Sequence, residues 1–142
     1  MSTNEHLNHA IIIATEAHKN QVDRGGQPYI FHPLRVMLSV DRLDEKIVAV
    51  LHDMVEDTDT TLEDLGKYFD KEIIEAVDAI SRRKDKETYK EFIRRVYMNP
   101  IARKVKIADI KDNLNLNRPG SLEFLSKGIC QRYYEALLFL ED

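Results

Sequence analysis

The stretch VLHDMVEDTD, residues 50 to 59, sets His52 beside Asp53 and follows them with Glu56 and Asp57, with apolar residues on either side. On a helix of about 3.6 residues per turn His52 and Glu56 share a face, and Asp53 projects one turn before Glu56 and Asp57. The four groups then border one cavity at the C-terminal end of the segment. Carboxylates gathered there repel one another and oppose the helix dipole, by roughly 0.3–1 kcal/mol each when exposed. A divalent cation reverses that sign. Mixed imidazole and carboxylate donors suit a transition metal such as manganese or iron better than the all-oxygen cages of calcium. A His-Asp pair at a helix end is ordinarily just solvated, so the remaining donors decide.

His32 and Asp109 extend the set. Asp109, in VKIADIKDN, continues the apolar face of Ile101, Val105 and Ala108, so its carboxylate points inward or to the rim of that face and needs compensation. A metal supplies it, as would Lys106 close by in sequence. Two histidines and two aspartates from three separated elements make a site that forms only when the chain folds. His32 closes VDRGGQPYIFH, residues 22 to 32, where two glycines and a proline interrupt the helical period. Loops on a rigid scaffold often carry binding groups, and this one holds Asp23, Arg24, Gln27 and Tyr29. As a plain connector the same residues would simply be solvated.

The elements that must place these residues read as helices throughout. Leu7, Ala10, Ile11, Ala14, Ala17 and Gln21 recur every three or four positions. Further helices are predicted from Pro33 to Val40, Asp44 to Glu56, Glu72 to Ser81 and Glu87 to Tyr97, with another opening at Thr60-Thr61-Leu62-Glu63 as a capping box. Asn99-Pro100 starts a long helix through Leu114, with Asn99 as cap and proline at the first helical position. Pro119-Gly120 ends that region. Ser121 is expected to cap a last helix with one apolar stripe, Leu122, Leu125, Ile129, Tyr133, Ala136 and Leu140. No strand pattern, repeat or dividing linker is visible, so the expected fold is all-α, a compact helical bundle forming one domain over residues 1–142.

Composition narrows the function. A hydrophobic fraction of 43% with 32% charged residues fits a soluble protein, and no apolar run nears the roughly 18 residues needed to span a membrane. The Ala10 to Ala14 cluster is too short for a secretory leader, and the chain reads as cytoplasmic. A single cysteine, Cys130, excludes an internal disulfide and is expected in the core. The net charge of −4 excludes a general nucleic-acid surface but not a small anionic ligand. Arg82, Arg83, Lys84 and Lys86 read as a solvated helix end, with the rim of a phosphate pocket as the alternative. A homo-oligomer stays open.

Assembled in order, His18-x-x-Gln21, Gly26-x-Pro28-Tyr29-x-x-His32-Pro33, His52-Asp53-x-x-Glu56-Asp57 and Lys106-x-Ala108-Asp109-x-x-x-Asn113 cover most of the chain. In this the sequence resembles the HD-superfamily metal-dependent phosphohydrolases, and within them the hydrolase domain of RelA/SpoT-type alarmone enzymes and their small stand-alone relatives. The resemblance implies an all-helical fold in which His32, His52, Asp53 and Asp109 hold one divalent ion, manganese first, with iron, zinc or magnesium as substitutes. It implies that Glu56 and Asp57 act on water, and that Arg24, Tyr29 and Asn113 meet a small anionic nucleotide. The implied reaction removes the 3′-diphosphate of ppGpp or pppGpp as pyrophosphate.

The resemblance is incomplete at the nucleotide contacts. The long alarmone enzymes typically carry arginine where Asp23 stands, arginine and histidine where Ile110 and Asp112 stand, and arginine where Asn115 stands. Asp23 is expected to repel an anion that arginine would attract, unless Arg24 takes over the contact, and Arg118, Arg82 and Lys84 are candidate replacements. Another nucleotide or phosphoester as substrate, or a metal-bound nucleotide sensor, are the alternatives. No synthetase segment is visible, so alarmone synthesis is not expected.

Overall fold

The computed structural model describes residues 3–142. Ten helices follow in order: α1 Thr3–Ala17, α2 Phe31–Leu38, α3 Leu43–Leu51, α4 Met54–Asp57, α5 Leu62–Gly66, α6 Lys71–Ile80, α7 Tyr89–Tyr97, α8 Pro100–Asn113, α9 Ser121–Phe124 and α10 Lys127–Glu141. The all-α expectation holds. Among the described residues there is no strand, only an isolated bridge between Val22 and Pro28, and no helix is long and apolar enough to cross a membrane.

The centre of the bundle is α3, because Ile47 to Leu51 is an unbroken apolar run and every residue in it is buried. It packs on α1, α2, α6 and α8. α8 crosses it with Ala102, Val105, Ala108 and Ile110, and carries Asp109 inward on the same face. Asn99 Oδ1 accepts the Ala102 N–H at 2.9 Å and Pro100 takes the first helical position, as predicted. α2 runs from Phe31, so His32 and Pro33 are both buried in its first turn.

Six local predictions give way to competing hydrogen bonds or packing. The helix predicted through Glu56 stops at Leu51: His52 Nδ1 meets the Ala49 carbonyl at 2.5 Å and Asp53 sits at φ −96°, ψ −4°, so Met54–Asp57 is a separate turn. The capping box is one residue later than predicted. Thr61 Oγ1 accepts from Asp64 N at 3.1 Å and Asp64 Oδ2 from Thr61 N at 3.0 Å. The last helix is two, because Leu125 leaves the helical region at ψ 78° and Ser126 Oγ accepts the Ile129 N–H at 3.2 Å. Ser121, no cap, donates to Asn115 O at 2.8 Å, and Leu122 is exposed rather than part of the stripe. Cys130 lies outside the core, partly buried, because α10 opens there on an exposed turn.

The loop between α1 and α2 is fixed by its own polar groups. Asp23 N donates to Gln27 O at 2.8 Å, and Asp23 Oδ1 accepts from Gly25 N at 2.9 Å and Gln27 N at 3.0 Å. Gly26 takes φ +80°, open to glycine without strain. Gly25 lets this loop touch the turn before α9: a Cβ there would lie 2.2 Å from the Pro119 carbonyl oxygen.

Candidate metal centre and anion pocket

α2, the α3–α4 turn and α8 bring three donors together. Ligand atoms of His32, His52 and Asp109 all lie within 4.8 Å of one another, and all three residues are buried. His32 Nε2 is 2.8 Å from Asp109 Oδ1. His52 Nε2 has Asp53 at 3.2 Å and Asp109 at 3.4 Å, yet makes no hydrogen bond and is buried. Because His52 Nδ1 is spent on the Ala49 carbonyl, Nε2 is the ring nitrogen presented inward. An orphaned imidazole nitrogen facing a carboxylate and a second imidazole is a donor set that fits a divalent cation.

His32 is oriented from behind. Its Nδ1–H donates to Asp112 Oδ2 at 2.6 Å, and Arg35 clamps Asp112 with Nε at 2.8 Å and Nη2 at 3.1 Å. Arg118 Nη1 reaches the same carboxylate at 3.1 Å, while its Nη2 lies 3.5 Å from Asp23. A carboxylate behind a ligand histidine fixes its tautomer and raises its basicity.

The charges inside this cluster hold one another. Burial pushes the His52 imidazole down, but Asp53 and Asp109 outweigh it and bring it up to about 9. Burial likewise opposes the charge of Asp109, yet Lys106, at 2.8 Å, and the two imidazoles keep it well below the usual carboxylate range. Asp112 is brought to about 2, its burial outweighed by His32 and Arg35. Lys106 and the metal-type donors therefore serve Asp109 together rather than as alternatives.

Around the cluster lies a cavity of about 570 Å³, lined by Arg24, Tyr29, His32, Asp53, Glu56, Asp57, Asp109 and Asn113 among others. Every expected site residue but His52, which lies just behind, faces it. The Tyr29 hydroxyl donates to Asp53 Oδ2 at 2.6 Å and lies 3.4 Å from Asp57 Oδ2. Glu56 Oε1 accepts the Arg82 backbone N–H, and burial raises its pKa. Burial also raises that of Asp57, against the charge of Lys84. Asn113 Nδ2 points at Asp109 Oδ1, 3.4 Å away, and the Arg24 guanidinium covers the Phe124 ring at 3.1 Å from its centroid.

Three parts of this arrangement escaped the sequence. Asp23 lines the cavity, but its carboxylate is engaged: it caps its own loop and lies against Arg118. Arg118, a candidate anion contact, is taken up by Asp112, Asn113 and Asp23. Asp112 looked only like a missing histidine. Its signal was in the spacing, since His32/Arg35 and Asp109/Asp112 are each three apart and so share helical faces. His18 and Gln21 act as a strut: His18 Nδ1 meets Gln21 Oε1 at 2.9 Å, and Gln21 Nε2 donates to the Asp57 carbonyl at 3.0 Å.

Comparison with known proteins agrees with the all-helical fold and gives the family. The family model described as HD domain matches residues 10–111. The chain is 40% identical over 82 residues to the guanosine-3′,5′-bis(diphosphate) 3′-pyrophosphohydrolase of Vibrio cholerae, covering 55% of this chain and 12% of that protein. A protein of the same name from Aquifex aeolicus is 31% identical over 78% of this chain and 17% of its own length. The bifunctional (p)ppGpp synthase/hydrolase SpoT of Escherichia coli is 35% identical over 65% and 14%. The chain thus spans less than a fifth of these curated relatives. A solved structure of a metazoan ortholog of SpoT, described as hydrolyzing ppGpp, shares the fold with a TM-score of 0.74 at 23% identity, covering 95% of this chain and 84% of that one. With its HDxxED motif, two further metal-type donors and a family match over most of its length, the chain belongs to the HD-domain family, and its relatives are RelA/SpoT-type hydrolases.

Proposed function

We propose that this chain, as a single unit in the cytoplasm, is a manganese-dependent 3′-pyrophosphohydrolase of ppGpp. The observation that carries the reading is the convergence of His32, His52 and Asp109 beside Asp53, on a cavity that also presents Glu56 and Asp57. These four donors would hold the ion. When bound, it supplies a Lewis acid that polarises a phosphoryl oxygen and makes water more acidic.

The chain's own groups do the rest. Glu56, fixed by the Arg82 N–H and made more basic by burial, accepts a proton from water as the water oxygen bonds to the 3′-phosphorus. The bond from that phosphorus to the ribose 3′ oxygen breaks. Asp57, whose protonated form burial also favours, delivers a proton through water to the departing oxygen. The products are GDP and pyrophosphate, and no covalent intermediate is needed. Tyr29 keeps Asp53 in place, and Arg24 and Asn113 meet the nucleoside.

The test compares ppGpp, GTP and a generic phosphoester as substrates for the wild type and Glu56→Gln, with manganese present. Pyrophosphate release is expected from ppGpp and little from GTP. Glu56→Gln should keep its metal and lose about 10²-fold to 10⁴-fold in kcat. Near-normal turnover at equal metal content would remove Glu56 from the mechanism. An inert ppGpp beside an active phosphoester would leave the chemistry and reject the substrate.

A further inference from the structure

The cations lining the cavity are of two kinds. Lys106 is taken by Asp109 and Arg118 by Asp112 and Asp23. Arg82, Lys84 and Arg132 line the same cavity and, among the described residues, form no ion pair with a carboxylate. They come from the segment after α6 and from α10, yet two of them meet at one ring: the guanidinium carbons of Arg82 and Arg132 lie 5.4 and 4.3 Å from the Tyr89 ring centroid. Arg82 Nε and the Tyr89 hydroxyl are both buried with no hydrogen-bond partner.

A buried donor without an acceptor is uncommon, because it loses its hydrogen bonds to water and gains none in return. Two of them beside one ring, with a further cation over that ring, leave a place for the acceptor oxygens that an anion would bring. The corner also adjoins the hydrolytic carboxylates. The Arg82 backbone holds Glu56, and the Lys84 charge acts on Asp57. The Arg24 guanidinium, by contrast, covers the Phe124 ring and shares no ring with Arg82 or Arg132.

We propose that Arg82, Arg132 and the Tyr89 hydroxyl, with Lys84 at the rim, form a subsite for the terminal phosphoryl group of the diphosphate being removed. This deepens the hydrolase reading and rests on it: the unit recognised is a diphosphate ester, and the nucleoside extends toward Arg24 and Asn113. A 3′-monophosphate could reach Glu56 and Asp57 but would leave the corner's donors unpaired. A site built to hydrogen-bond a group discriminates strongly against the analogue that lacks it.

The experiment measures inhibition of ppGpp hydrolysis by inorganic pyrophosphate and by orthophosphate, with manganese in excess, for the wild type, Arg132→Ala, Tyr89→Phe and Arg24→Ala. Pyrophosphate should inhibit the wild type at least about tenfold more strongly than orthophosphate, as expected for added charge-assisted hydrogen bonds. Arg132→Ala should remove most of that preference. Tyr89→Phe keeps the ring and deletes an unpaired hydroxyl, so it should weaken pyrophosphate a few-fold without lowering the melting temperature. Arg24→Ala should weaken ppGpp and leave pyrophosphate inhibition unchanged. Equal inhibition by the two anions in the wild type, or pyrophosphate inhibition untouched by both Arg132→Ala and Tyr89→Phe, overturns the subsite while ppGpp hydrolysis stands. If ppGpp is not hydrolysed, the hydrolase reading fails instead. Calorimetric titration with pyrophosphate then decides the corner: binding that Arg132→Ala weakens supports it, and binding that is absent or indifferent to Arg132→Ala overturns it.

Discussion

The two imidazoles of the candidate metal centre are held in opposite ways. His52 is fixed locally, its Nδ1–H meeting the Ala49 carbonyl three residues back in its own helix. His32 is fixed at long range by Asp112, 80 residues away, which Arg35 and Arg118 hold in turn. The first half of the site is a by-product of packing α3 against α8. The second depends on a polar network that also reaches the α1–α2 loop through Arg118 and Asp23. Damage to the packed half should therefore appear as lost fold stability, and damage to the networked half as lost affinity.

The largest effect is expected where the packed half carries its buried charge. Asp109→Ala removes the partner of Lys106 and leaves that ammonium among buried groups with two imidazoles nearby. Stripping one member from a buried pair typically costs about 3–5 kcal/mol. Urea denaturation should show a loss of that size, and metal analysis should show no bound manganese. A variant that loses metal but unfolds at the wild-type midpoint would show that Asp109 is only a ligand and that the division between the halves is wrong.

That division matches what could be read from the sequence. His52, Asp53 and Glu56 stand out in the sequence because ionisable groups crowd a short stretch flanked by apolar residues, and Asp109 because it continues an apolar helical stripe. The all-helical fold was legible for the same reason. The cap at Ser126 and the tightened turn at His52 were not, since a short side-chain hydrogen bond overrides periodicity over one or two residues. The pairing of Asp23, Asp112 and Arg118 was not legible, because the network joins residues from three separated segments. Only the fold reveals that they spend their charges on one another.

A middle-sized effect should sharpen the contrast. Asp112→Ala deletes the carboxylate behind His32 but leaves all proposed ligands in place. Loss of such an outer partner usually lowers metal affinity about 10-fold to 100-fold. Chelator competition should report that range for manganese, while the urea midpoint moves far less than in Asp109→Ala, because Arg35 and Arg118 keep partial access to water. Unchanged manganese affinity would mean that His32 is positioned by its helix alone and needs no network.

The smallest effect is expected at the far end of that network, where sequence and structure point in opposite directions. If the Asp23 carboxylate were free to act on the nucleotide, Asp23→Arg would remove a repelling charge and lower KM for ppGpp. Its Oδ1 instead accepts the Gly25 and Gln27 N–H groups, and its Oδ2 lies 3.5 Å from Arg118. Arginine has no acceptor, so the substitution leaves both amides without this partner and sets two guanidinium groups against each other. The loss is local, on the order of 1.5–3 kcal/mol of loop stability, because hydrogen bonds to a charged acceptor contribute about that much. Hydrogen exchange should therefore quicken at Gly25 and Gln27 with little change in the global midpoint. KM for ppGpp should rise, since the loop that carries Arg24 and Tyr29 loosens. Asp23→Asn, which keeps the acceptor and drops the charge, should retain most of the protection. A lower KM in Asp23→Arg with unchanged exchange would return Asp23 to the nucleotide site and detach the loop from the network behind His32.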